Sequence, residues 1–141
     1  MRIMGLDFGT RTVGIALSDN SKIIASGYEN YRYKEKDYES VYNHLLEIIE
    51  KQKVDEIVIG LPYHMNGDES DKIEIIKEFS KELEKRSGIK VNGIDERLTT
   101  VLATKYLLEA DISREKRKKV IDQQSAVIIL ENYMERRKNG R

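Results

Sequence analysis

Cysteine is absent from this 141-residue chain. Disulfides, thiolate nucleophiles and zinc–thiolate sites are therefore excluded together. Only two histidines are present, His44 and His64, twenty positions apart and without metal-ligand spacing, so ordinary surface roles are expected for both. No apolar run approaches the roughly 18 residues that span a bilayer. The first residues, MRIMGLD, lack a basic region followed by an apolar core and a small-residue cleavage site, so no secretory signal is read and a cytoplasmic protein without a membrane partner is expected. Net charge is also missing, since 25 Lys and Arg face 25 Asp and Glu. That balance conceals an asymmetry, because residues 112–141 sum to +5 and the first 111 to −5. A basic segment on an acidic body suits a phosphate backbone better than the total suggests, although a solvated helix face has the same composition.

The hydrophobic fraction of 39% beside 35% charged residues describes one globular domain over residues 1–141, with no internal repeat or linker. Residues 2–8 and 12–19 are apolar stretches separated by Gly9-Thr10-Arg11, which reads as an antiparallel hairpin. A third strand is expected from about Lys22 to Tyr33, after the turn residues Asp19-Asn20-Ser21. Val41, Leu45, Ile48 and Ile49 mark a helix over 37–53. The β-branched run VDEIVIGLP, 54–62, ends at Gly60 and the only proline, Pro62, and reads as a strand buried on both faces at the sheet centre. Ile73, Ile76, Phe79 and Leu83 predict a second helix ending before Gly88, and IKVNGIDE, 89–96, a fifth strand. Thr99 or Thr100 can cap a helix to about Glu109, and Ser113 a last helix to about Arg137. The order βββαβαβα predicts an α/β fold, a five-stranded mixed sheet with helices on its faces.

Acidic residues are misplaced at three points of this scheme. Asp7 stands between glycines at the end of the first strand, Asp95-Glu96 ends the fifth, and Asp122 interrupts the apolar run of the last helix. A buried carboxylate is costly unless cations or donors meet it. The carboxyl ends of strands in open α/β sheets are where ligands collect, and carboxylates suit Mg²⁺ or Mn²⁺. Two such ions can activate water and stabilise the leaving oxygen of a phosphodiester. The plainer alternative is that Asp7 caps a turn through the amides of Gly9 or Thr10.

GLDFGTRTVGIALSD, IVIGLPYHMNG, DERLTT and IDQQSAVIIL, in this order and spacing, resemble the YqgF/RuvX family, and the resemblance covers essentially the whole chain. It implies an RNase H-like fold and a divalent-metal-dependent endonuclease, hydrolysing phosphodiester bonds at the 5′ end of pre-16S rRNA in ribosome biogenesis. A Holliday-junction resolvase acting on branched DNA is the alternative, because of the family's likeness to RuvC. Asp7, Glu96 and Asp122 are implied as catalytic, metal-binding acids for Mg²⁺ or Mn²⁺. Asp95 and Glu96 cannot both face the site on an extended strand, and Glu96 is chosen for its reach, with Asp95, Gly9 and Thr10 supporting. Two positions depart from related nucleases: Ser125 follows Asp122 where RuvC-like resolvases carry a second acid, and Gly60-Leu61-Pro62 ends a strand where RNase H has an acid. The first motif also resembles the phosphate-binding hairpin of sugar kinases and actin, but those proteins close two lobes and 141 residues suffice for one.

Phosphate contacts are expected from Arg11, Arg97, Arg114 and the run Lys116-Arg117-Lys118-Lys119, with Asn66 either a substrate contact or simply part of an Asn66-Gly67 turn. Tyr28, Tyr31 and Tyr33 read as strand formers at a sheet edge rather than base-stacking residues. The expected partner is nucleic acid, an rRNA precursor before branched DNA, bound by a monomer or weak homodimer. A non-catalytic RNA-binding assembly factor would use the same surface. Neutralising Lys116–Lys119 should lower nucleic-acid affinity and flatten its salt dependence, and an unchanged salt slope in a binding titration would reject the phosphate role.

Overall fold

The computed structural model describes residues 1–62, 72–95 and 114–139, with side chains in the last helix described from Ser125 to Lys138. The element order is β1 (Arg2–Phe8), β2 (Thr12–Ser18), β3 (Ala25–Arg32), α1 (Tyr38–Gln52), β4 (Val54–Leu61), α2 (Lys72–Ser87), β5 (Val91–Asp95) and α3 (Arg114–Asn139). The helix expected over 99–109 and the Ser113 cap lie outside the described residues.

The five strands form one sheet in the order β3-β2-β1-β4-β5, antiparallel among the first three and parallel from β1 through β4 to β5. The central strand is thus β1 and not β4 as its apolar run suggested. Both are interior and equally apolar, so composition alone does not rank them. β3 starts at Ala25, three residues later than expected. Asp19 holds the chain in a turn first, its Oδ1 accepting from the amides of Ile23 at 2.7 Å and Ile24 at 2.9 Å, with Lys22 in a left-handed conformation.

Alternation along the strands divides the core between the two faces of the sheet. Met4, Leu6 and Phe8 of β1, with Ile57 and Ile59 of β4, pack under Val41 and Leu45 of α1 and Ile76 and Phe79 of α2. Ile3, Ala16, Val58 and Ile94 meet Ala126, Ile129 and Leu130 of α3 on the opposite face. The closest approach there is at Gly5, where a Cβ would stand 2.8 Å from Leu130 Cβ and 3.1 Å from the Ala126 carbonyl oxygen. The α1 helix begins at an Asp37 N-cap and ends at a left-handed Lys53, while α2 ends at Gly88, φ 72°, whose amide bonds the Glu84 carbonyl.

A second attachment ties the far end of α3 to the sheet. Glu56, 18% exposed in its side chain, accepts hydrogen bonds from the Tyr133 hydroxyl and from Arg137 Nε at 2.9 Å, and pairs with Lys22 at 3.4 Å. Burial alone pushes the Glu56 carboxyl up, but the bonds from Tyr133 and Arg137 outweigh it and hold the group below its ordinary value.

Two outcomes are expected. Gly5→Val should destabilise the protein by about 1–3 kcal/mol in thermal or urea melts, through overpacking against α3, and Gly5→Ala, which adds the Cβ alone, should cost less. Glu56 has a depressed folded-state pKa, so its stabilising contribution is present above the unfolded glutamate value and disappears as pH falls through the lower folded value. The gap in melting temperature between wild type and Glu56→Gln should therefore be widest near neutral pH and close below about pH 4.

Candidate active site

The parallel pairing of β1, β4 and β5 brings their carboxyl ends to one edge of the sheet. Asp7, half-buried next to the last residue of β1, is at that edge. Its strand neighbours at the same parity are Gly5 and Ile3, both under α3, so Asp7 belongs to the α3 face. Across the hairpin it is paired in register with Gly14, which leaves the adjoining position on β2 without a side chain. The resulting cleft, of about 180 Å³, is lined by Asp7, Gly9, Thr12, Gly14, Pro62 and Lys72.

The hairpin turn is tightly held. The Gly9 amide bonds the Thr12 carbonyl at 2.8 Å, and a Cβ at Gly9 would stand 2.9 Å from that same oxygen. The Tyr33 hydroxyl donates to the Gly9 carbonyl, and the Tyr33 amide bonds the Arg11 carbonyl at 2.9 Å. Burial pushes the Tyr33 phenol far above the usual tyrosine value, so it remains a protonated donor at neutral pH. Arg11 itself is 77% exposed and stands 3.8 Å from Glu35 of the β3–α1 loop, at the edge that holds Asp7.

The remaining expected residues fall in different places. Asp95 is the last residue of β5 and shares the parity of Val91, which packs on the α1/α2 face; Ile94 packs on the α3 face. Asp95 is therefore on the face opposite Asp7. Glu96, Asn66, Arg97 and His64 lie outside the described residues. Arg114, Lys116, Arg117, Lys118, Lys119 and Asp122 belong to α3, in the part whose side chains are not described. Among the described residues, no three His, Cys, Asp or Glu side chains cluster closely enough to hold a metal. Thr10 lines a depression beside the Asp7 cleft. Of the tyrosines, Tyr31 bonds Ser40 and stacks on His44 at 4.0 Å, Tyr33 is buried and Tyr28 is exposed, and His44 meets Glu29 at 2.6 Å. These contacts agree with the sheet-edge reading.

Two residues of the site, Lys72 and Thr12, were missed in the sequence. Lys72 had left a trace: a cation in the first turn of a helix opposes the macrodipole, an arrangement that invites a search for an anion nearby. Thr12 had left none, since its position in the cleft depends on the bend of the hairpin.

A family model described as "RuvX: Holliday junction resolvase" matches residues 1–136. Curated relatives in Streptococcus pneumoniae (strain D39 / NCTC 7466) and Streptococcus thermophilus (strain ATCC BAA-491 / LMD-9) each carry the name "Putative pre-16S rRNA nuclease". The first is 44% identical over 138 residues, 97% of this chain and 99% of the relative, and the second 43% over 137 residues, 96% and 99%. Among solved structures, T. thermophilus RuvC in complex with Holliday junction substrate matches with a TM-score of 0.61 at 12% identity, covering 98% of this chain and 96% of that one. The fowlpox virus Holliday junction resolvase matches at 0.62 and 16%, covering 96% and 99%. At those identities the likeness is one of fold, the mixed five-stranded RNase H-like sheet with helices on both faces. No helix among the described residues is long and apolar enough to cross a membrane.

Proposed function

The chain belongs to the RuvX family, and from that premise we propose that it is a divalent-metal-dependent endonuclease that trims the 5′ end of a small-subunit rRNA precursor in the cytoplasm. The observation that carries this reading is the placement of Asp7 in a cleft at the carboxyl edge of the sheet, on the face that α3 covers.

The direction of α3 supports Asp122 as a companion. Tyr133 and Arg137 reach Glu56, whose register partner Ile3 is near the start of β1, whereas Ala126 and Leu130 lie against Gly5 in its middle. The helix thus runs back along β1 toward the Asp7 end as its numbering falls. Position 122 comes four residues before Ala126, a step of about 6 Å, and Gly5 to Asp7 is a step of about 6.6 Å in the same sense. The alternation of β5 sets Asp95 with Val91 on the face away from Asp7, which counts against Asp95 and leaves Glu96 as the third acid of this reading.

An all-carboxylate donor set of this kind fits a hard cation, and Asp7, Glu96 and Asp122 would hold it. A bound Mg²⁺ or Mn²⁺ supplies a lowered pKa for attacking water and neutralises charge on the phosphodiester. The chain's own groups do the rest. Lys72 lines the cleft at the N-terminal end of α2, where its ammonium and the helix dipole both attract a phosphate. Gly14, in register with Asp7, adds no side chain to the cleft beside that carboxylate. From Arg114 to Ala126, α3 extends about 18 Å, against about 10 Å for β1 from Gly5 to Phe8, so the basic first turns overhang the edge where a backbone would pass.

The test compares wild type, Asp7→Asn, Glu96→Gln, Asp95→Asn and Asp122→Asn, with Mg²⁺ or Mn²⁺, on a 5′-extended small-subunit rRNA precursor and on a four-way DNA junction. Asp7→Asn, Glu96→Gln and Asp122→Asn should each lower precursor cleavage by more than about a hundredfold, beyond what loss of a residue that only supports a metal ligand costs. Asp95→Asn should cost less. Cleavage of the junction alone would replace the rRNA reading with the resolvase one, and RNA binding without cleavage of either substrate would leave an assembly factor.

A further inference from the structure

A second depression opens beside the Asp7 cleft. It holds about 90 Å³ and is lined by Gly9, Thr10, Lys36, Tyr38, Lys72 and Ile75. Gly9 and Lys72 border both, so the two form one continuous track along the carboxyl edge of the sheet. The far part of the track differs in chemistry from the near part. Ile75 is 42% exposed although large and apolar, and Tyr38 is half-buried with its ring packed on Phe8 at 5.8 Å. Two lysines flank this apolar floor. Neither Lys36 nor Lys72 forms an ion pair among the described residues, and the one carboxylate of the wall, Glu35, faces Arg11.

Lys36 is also strained. Its φ is 69°, the left-handed region, which a residue with a long side chain adopts less readily than glycine or asparagine. The other two non-glycine residues with positive φ among the described residues have structural occupations, Lys53 as the C-cap of α1 and Lys22 as the partner of Asp55 and Glu56. Lys36 takes its positive φ as the third residue of a turn, closed by the Asp37 amide on the Lys34 carbonyl at 2.9 Å, which leads the chain into α1 and leaves Lys36 on the wall of the depression.

We propose that this depression is a subsite for one unpaired nucleotide of an RNA strand flanking the cleaved bond, its base lying on Ile75 and Tyr38 and its phosphates held by Lys36 and Lys72. The inference rests on the nuclease reading above and narrows its substrate to RNA that is single-stranded beside the cut. An apolar floor between cations is the arrangement that single-strand binding uses, because every base has a stackable face and every nucleotide a phosphate. A base within a duplex has both faces covered by its neighbours and cannot be laid into such a depression. Continuity with the Asp7 cleft puts the nucleotide next to the bond to be broken.

The test uses the full chain with Mg²⁺ or Mn²⁺ and one cleavable RNA sequence in two forms, with the flank of the cut either unpaired or annealed to a complement. Wild type should prefer the unpaired form by about tenfold in kcat/KM, the order expected for one base stacked on a side-chain platform. Ile75→Ser should remove most of that preference. Lys36→Asn should raise KM on the unpaired form by about fivefold and lower the salt slope by about one. It should also melt at or above the wild-type temperature, because asparagine accepts the left-handed backbone, so its weaker binding is not unfolding. Equal cleavage of both forms by wild type overturns the subsite, as do variants that keep both the preference and KM. If wild type cleaves no nucleic acid, the nuclease reading itself fails, and anisotropy titration of the same single strand decides the subsite alone: weakening by Lys36→Asn supports it and unchanged affinity overturns it.

Discussion

A helix backbone can come down onto a strand only where the strand has no side chain to keep it away, and in this protein that place is Gly5. Leu130 and the Ala126 carbonyl occupy the space a Cβ would take. The contact falls on the middle of the central strand, so it sets the height of α3 over the whole sheet. The surrounding core follows from it, because Ile3, Ala16, Val58 and Ile94 can meet Ala126 and Ile129 only at that depth. Glu56 then closes the assembly at the other end, holding Tyr133 and Arg137 and preventing the helix from sliding along its axis.

These two attachments leave the first half of α3 as a cantilever, aimed past the carboxyl edge of β1. Chain direction gives the two edges of the sheet different chemistry. The edge beneath Glu56 is a closed ion-pair network, with Lys22, Glu56 and Arg137 satisfying one another. The opposite edge gathers strand carboxyl ends, the starts of α1 and α2, the Asp7 cleft and lysines without ion-pair partners among the described residues. Positive helix ends and cations around an acid are suited to a phosphate and a counter-ion together, and poorly suited to an uncharged ligand.

Much of the fold was legible because its signals are local. The hairpin around Gly9, the spacing of Val41, Leu45 and Ile48 in α1, the β-branched run of β4 and the stop at Gly88 each depend on a few neighbouring residues. The start of β3 was misjudged because Asp19 captures the amides of Ile23 and Ile24, and β-propensity does not register a side chain competing for backbone bonds. Of the site, Asp7 was conspicuous as an acid in an apolar strand. Lys36 and Tyr38 were not, since nothing in a loop of mixed charge says that it will lie beside a hairpin some 25 positions earlier in the chain.

The sequence by itself determined the type and order of the elements among the described residues, and that Asp7 is an anomaly that burial alone does not explain, because periodicity and turn chemistry act over short distances. It also limited the chemistry, since a chain without cysteine and with two scattered histidines is left with carboxylates as its plausible ligands. Only the tertiary structure decided that β1 and not β4 is central, that Asp95 lies on the face away from Asp7, and that Lys72 and Lys36 share a track with the hairpin. Those are statements about which faces and edges meet. They depend on strand order and on the depth at which α3 settles over Gly5, and packing between distant segments establishes both.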